Sequence, residues 1–147
     1  MLFYRVCHRT DKKNVQGKSI HMGPYTCDRQ AYPREIRSGL ADMNEEHSTD
    51  NVHLSVGMEW GIFDPPFDGD FVCGFDSLEK LAEWFKGYFE LFFLADFVVR
   101  VWDIPEEYIK HGKVQSVTHI DFMLDSPIRE IDFDEIDRIF GKAVQYA

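Results

Sequence analysis

The tightest constraint on the fold is the order of patterns between Asp70 and Met123. A short apolar stretch, a helical pattern and a second apolar stretch follow one another with few residues between them. Leu78, Leu81, Ala82, Phe85, Phe89 and Phe92 recur at helical spacing, with Glu79, Lys80, Glu83, Lys86 and Glu90 on the opposite face. Asp76 and Glu79 stand at capping-box spacing, so the pattern predicts one helix over residues 77–94. Burying such side chains is worth roughly 1.5–3 kcal/mol each before entropy is subtracted, which makes a helix docked on a core. Asp70–Phe75 precedes it as a strand. Phe97–Trp102 follows as the near-continuous apolar run of a central strand covered on both faces. A turn over Glu106–Gly112 then leads to a further strand over Val114–Met123.

The remaining segments fill in around this unit. Leu2–Cys7 alternates as a first strand, and a short helix is predicted after Pro33, over Arg34–Asp42, followed by a polar loop from Met43 to Asn51. Asn51–Phe63 has a clean two-residue period, with Val52, Leu54, Val56, Met58, Trp60 and Ile62 on one side. Asp64–Gly69, with two prolines, is a loop. Asp132 and Glu135 form a second capping-box pattern, opening a last helix with Ile136, Ile139, Phe140 and Ala143 inward. The expectation is a single α+β domain over residues 1–147. It has a mixed or antiparallel central sheet of about five strands, flanked by about three helices.

Composition narrows the class. A chain of 147 residues that is 44% hydrophobic is large and apolar enough to fold around its own core. The three cysteines, Cys7, Cys27 and Cys73, are an odd number with no CxxC spacing, as expected of reduced thiols. The opening MLFYRVCHRT lacks a charged segment followed by an apolar run, and Leu91–Trp102 is too short and too charged to span a bilayer. A cytoplasmic protein without a membrane partner is expected. Net charge is −10, unevenly spread: residues 1–40 hold eight bases against three acids (+5), and residues 41–147 eight against 23 (−15). An acidic body argues against direct nucleic-acid binding, which needs a concentrated basic face, and suits a partner protein with a basic surface.

Few motifs carry chemistry. Cys7, His8, His21 and Cys27 match no common metal-ligand spacing, and adjacent strand residues such as Cys7 and His8 point to opposite faces. Asp64, Asp68 and Asp70 offer three carboxylates but not the calcium-loop pattern, and a solvated acidic turn accounts for them. No metal site is expected. There is no G-x-S-x-G, P-loop or G-x-G-x-x-G. Cys73 precedes a helix start, but alternation with Phe71 and Phe75 makes it a packed thiol. Three polar residues at structured positions remain: Arg5 within the first strand, Ser77 where strand turns to helix, and Gln115 in a later strand beside His119. A guanidinium inside a strand is costly unless it is edge-exposed, paired or holding an anion. Ordinary alternatives are a surface ion pair for Arg5, a helix-start role for Ser77 and a solvent-facing amide for Gln115.

The order of these pieces resembles that of small ADP-ribosyltransferase-like domains. The stretches FYRV, GPY, CGFDSLEKLAEWF and VWDIPEEYIKHGKVQ are also similar to short phage and prophage proteins of unassigned function. The resemblance implies that Arg5 clamps the phosphate of NAD or a related nucleotide. It implies that Ser77 contacts the nicotinamide ribose, and that Gln115 stands where the family's glutamate orients the ribose for transfer. Ser77 and Gln115 are thus the implied catalytic positions, with Arg5 and Ser77 holding the cofactor. An amide still hydrogen-bonds a ribose hydroxyl but supplies no negative charge to an oxocarbenium-like transition state. The resemblance therefore implies either a transferase acting on a macromolecule or a degenerate, binding-only domain. The alternatives are a non-enzymatic acidic phage accessory protein that binds and inhibits a host protein with a basic surface, and a purely structural or toxin-neutralising domain.

Overall fold

The computed structural model describes residues 1–10, 17, 22–50, 53 and 71–141. The predicted strand over Asn51–Phe63, the acidic loop Asp64–Asp70, His21 and Ala143 lie outside these residues, except for His53 within the first. The described residues form strand β1 (Leu2–His8), helix α1 (Arg34–Thr49), β2 (Phe71–Gly74), α2 (Leu78–Trp84), α3 (Phe89–Leu94) and β3 (Phe97–Asp103). β4 (Ile109–His111), β5 (Ser116–His119), β6 (Arg129–Asp132) and α4 (Phe133–Ile136) complete them.

The class is α+β, but in place of one central sheet of about five strands the described residues form two antiparallel three-stranded sheets, ordered β1-β3-β6 and β2-β5-β4, with four α-helices. Among the described residues one backbone bridge links them, in which Tyr4 and Phe75 exchange both backbone hydrogen bonds at 2.8 Å. Gly74 is the reason the strands come so close there. A Cβ on it would lie 2.5 Å from Phe3 Cζ and 2.6 Å from the Tyr4 carbonyl oxygen. β3 is the covered centre of its sheet, as its apolar run predicts, with all residues from Phe97 to Trp102 buried except half-buried Arg100.

The described residues pack into two apolar clusters. One joins Val6, Val99, Val101 and Ile131 of the first sheet to Leu40 and Met43 of α1, Leu81 of α2, Phe92 of α3, and Phe133 and Ile136 of α4. The other gathers Phe3, Cys7, Val72, Trp102, Ile109 and Met123 between the sheets. A strand alternates its side chains across its two faces, so β1 feeds both clusters: Val6 enters the first, Phe3 and Cys7 the second.

Several boundaries differ from the expectation. The helix over 77–94 is two helices: α2 ends at Trp84, and Gly87, at φ +91°, adopts a left-handed conformation that breaks the ladder before α3. Its cap is Ser77, whose Oγ accepts from the Lys80 amide at 3.2 Å, while Asp76 pairs with Lys80 Nζ at 3.0 Å and His111 Nδ1 at 3.2 Å. α1 runs through the polar stretch expected as a loop, because Leu40, Met43 and His47 recur on one buried face and the acids point to solvent. β5 is shorter than Val114–Met123, since Ile120–Met123 curls into a 3₁₀ turn, and β4 occupies part of the expected turn. β6 has a single buried side chain, Ile131, too little for a period to register. Beyond Ile136 the helix widens into a π-turn over Asp137–Gly141, which leaves Ile139 exposed and Phe140 half-buried.

Gly74→Ala should destabilise the fold by about 3 kcal/mol or abolish folding, because the added methyl meets backbone that cannot move aside. Gly87→Ala, where nothing lies within 4 Å of the new carbon, should cost only the strain of its positive φ, about 1 kcal/mol. Urea unfolding of the two variants checks the difference in size.

Candidate binding cleft

Beside the bridge opens a cleft of about 480 Å³, and its walls come from three parts of the chain. β1 supplies Arg5 and Val6, the 22–26 loop supplies Gly23, Pro24, Tyr25 and Thr26, and β2 with its flank supplies Phe71, Val72, Cys73 and Phe75. Trp84, Phe85 and Gln115 close it. The lining is largely apolar and aromatic, with a guanidinium and an amide as its distinctive polar groups. That is the composition of a small-molecule site.

Of the three polar residues singled out in the sequence, the structure brings two together. Arg5 extends across to β2, where Nη1 donates to the Cys73 carbonyl at 2.7 Å. Gly23 stands against its other side: a Cβ there would lie 3.0 Å from Arg5 Nη2 and 3.2 Å from the Val6 carbonyl oxygen. Gln115 is buried one residue before the Gly74–Ser116 register pair, and its carbonyl accepts from Gly112 N at 2.8 Å, closing the turn that leads from β4 to β5. Ser77 does not line the cleft, and its hydroxyl caps α2. His119, expected on the same strand face as Gln115, also lies off the lining; its Nδ1 accepts from the Asp121 amide at 3.1 Å. Cys73 is only half-buried and lines the cleft, rather than packing into an apolar face.

Sequence reasoning missed the polar system behind the aromatic wall. The Trp84 indole N–H donates to the Tyr25 hydroxyl at 2.8 Å, and that hydroxyl makes a short hydrogen bond with His47 Nδ1 on α1. Burial, helped by the neighbouring His53, holds the His47 pKa down at about 4, so its imidazole is neutral at pH 7 and accepts the Tyr25 proton. Burial likewise pushes the Tyr25 phenol well above its ordinary range. His53 stacks on His47 with ring centres 3.7 Å apart, and its own nitrogens meet Asp50 Oδ2 and the Trp84 carbonyl, each at 2.7 Å. Tyr88, raised to about 12 by burial and by its bond to Glu46 at 2.5 Å, flanks the same cluster. The available signal was the spacing of Leu40, Met43 and His47, which places a histidine on a buried helix face.

Elsewhere the polar groups are structural. Cys7 is buried and His8 packs edge-on to Phe97, so the adjacent pair diverges. Cys27 is a free thiol whose pKa burial raises, the opposite of an activated nucleophile. Arg9 gathers Asp96, Glu130 and Asp132 at 2.9–3.2 Å. Among the described residues no group of three His, Cys, Asp or Glu side chains is placed to hold a metal ion, and no helix is long and apolar enough to cross a membrane.

A family model described as the bacteriophage T4 Y00F protein matches residues 1–124. The chain belongs to that family. The Y00F match takes in every residue that lines the cleft and ends before β6 and α4. No curated protein and no solved structure matches the chain.

The buried histidine ties stability to pH. Its folded pKa of about 4 lies below the ordinary imidazole value of 6.5, so between those values the unfolded chain binds a proton that the native state refuses. This contribution is complete above pH 6.5 and is lost as pH falls toward 4. His47→Gln, which keeps an acceptor but cannot titrate, should therefore be less costly at pH 4.5 than at pH 7.5, by about 2 kcal/mol. Denaturant unfolding of both proteins at the two pH values measures it.

Proposed function

We propose that the chain is an ADP-ribosyltransferase-like domain whose cleft binds NAD or a related nucleotide. The observation that carries the reading is that Arg5 on β1 and Gln115 at the start of β5 line one aromatic-walled cleft. A guanidinium suits a diphosphate, the rings of Tyr25, Phe71 and Phe85 suit a flat base, and a buried amide suits ribose hydroxyls. Arg5 clamps phosphate and Gln115 orients the ribose, while Ser77 serves as the cap of α2, the helix that carries Trp84, rather than as a ligand contact. Because Gln115 is neutral, binding is favoured over transfer, and the target of any transfer is a macromolecule with a basic surface. Titrating NAD by calorimetry should give a saturable signal that Arg5→Ala abolishes. A flat trace with the wild-type chain sinks the reading. Gln115→Glu should add slow NAD glycohydrolase activity, detected as released nicotinamide, if the cleft derives from an enzyme.

The charge distribution favours a second reading, an acidic phage accessory protein that binds and inhibits a host protein with a basic surface in the cytoplasm. Residues 41–147 carry −15, and the exposed Tyr108, Phe122, Leu124 and Ile128 stand among Glu106, Glu107, Asp121 and Asp125. A partner held this way should be lost from pull-downs as ionic strength rises, and retention in high salt counts against it.

A further inference from the structure

The 22–26 loop that forms one wall of the cleft is held by backbone bonds at its ends, His8 N to the Met22 carbonyl at 2.7 Å and Thr26 N to the Gly23 carbonyl at 3.1 Å, neither of which orients the Tyr25 ring. What fixes the ring is polar and comes from behind. The Trp84 indole can only donate, so it occupies a lone pair of the Tyr25 hydroxyl at 2.8 Å, and that hydroxyl's own proton is directed to His47 Nδ1. His47 is itself clamped. Its ring lies flat on His53 at an interplanar angle of 9° and edge-on to Tyr88 at 5.5 Å and Trp84 at 6.2 Å. The charged and titratable groups around it are Glu46 and Asp50 from α1, His53, Tyr88 from the break between α2 and α3, and Tyr25 from the loop. His47 is buried to 5% exposure and does not line the cleft, whereas Tyr25 lines it and is 39% exposed.

We propose that His47 is a positioning residue: by accepting the Tyr25 hydroxyl proton from behind the cleft, it fixes the phenol ring as the wall against which the flat heteroaromatic ring of a bound nucleotide lies. That the wall serves a nucleotide rests on the reading above; that His47 sets the wall does not. A ring held in place before binding loses little rotational freedom when a ligand stacks on it, so affinity follows the strength of the hold.

The test compares His47→Phe, which keeps the bulk but removes the acceptor, with His47→Gln, whose amide oxygen restores it. NAD affinity by calorimetry at pH 7.5 should fall about tenfold in the first and stay within about threefold of wild type in the second. In wild type, protonation of His47, half complete near pH 4, should weaken affinity about twofold at that pH, and in His47→Gln this step should be absent. Should His47→Phe not fold, Tyr25→Phe removes the donor instead and is expected to show the same loss. Unchanged affinity in a folded acceptor-less variant overturns the proposal, as does an equal loss in His47→Gln. A parallel NMR measurement follows the Trp84 indole N–H and the Tyr25 ring resonances. If wild type binds neither NAD nor ADP-ribose, the nucleotide reading falls and these resonances decide. Displacement in His47→Phe with recovery in His47→Gln upholds the positioning role, and resonances that do not move refute it.

Discussion

The contact at Gly74 is the constraint from which the arrangement of the described residues follows. Two small sheets, each too narrow to be stable alone, share one apolar layer only if β1 and β2 approach within backbone distance. The missing side chain at Gly74 permits that approach, and the reciprocal hydrogen bonds of Tyr4 and Phe75 lock it. The pairing then stops: Arg5, the next residue along β1, spends a guanidinium N–H on the Cys73 carbonyl. One satisfied buried carbonyl thus marks both the end of the bridge and the edge of the cleft.

A second constraint, the polar chain from Trp84 through Tyr25 to His47, connects that cleft to the helical layer. Buried polar groups are costly unless satisfied, and here each donor meets an acceptor: indole to phenol, phenol to imidazole, and His53 to a carboxylate and a carbonyl. α1 is tied to the 22–26 loop and α2 through these bonds as well as through Leu40 and Met43. The polar cluster specifies one orientation of these parts, which an apolar contact of the same area would leave freer to slide.

How far the fold was legible depended on what each element asks of its sequence. β3 announces itself, since a strand buried on both faces needs a near-continuous apolar run, as Phe97–Trp102 provides, and β1 shows through its alternation around Arg5. The amphipathic pattern after Asp76 was read correctly as helix and wrongly as one piece, because hydrophobic period continues across Gly87 while backbone conformation does not. α1 was cut short because its later turns bury only a methionine and a histidine, and a histidine on a buried face scores as polar in any pattern. β6 rests on Ile131 and on pairing with β3, so it was invisible without its partner. For the cleft, the sequence pointed to Arg5 and Gln115 through the oddity of polar side chains within strands. Nothing in local spacing marked Tyr25, because its role depends on groups 22 and 59 residues away.

The placement of Gln115 bears on what the cleft is built to do. The residue is 8% exposed, within a lining of mainly apolar side chains, and its backbone carbonyl is committed to closing the β4–β5 turn. A carboxylate in that position would lose most of its hydration in the empty cleft and would need a cation to keep its charge. The guanidinium in the lining spends one of its N–H groups on the Cys73 carbonyl. An amide avoids that cost, since it needs hydrogen-bond partners but no counter-charge. On the nucleotide reading, a neutral Gln115 suits holding a ribose better than stabilising a cationic transition state, to which an amide supplies no charge.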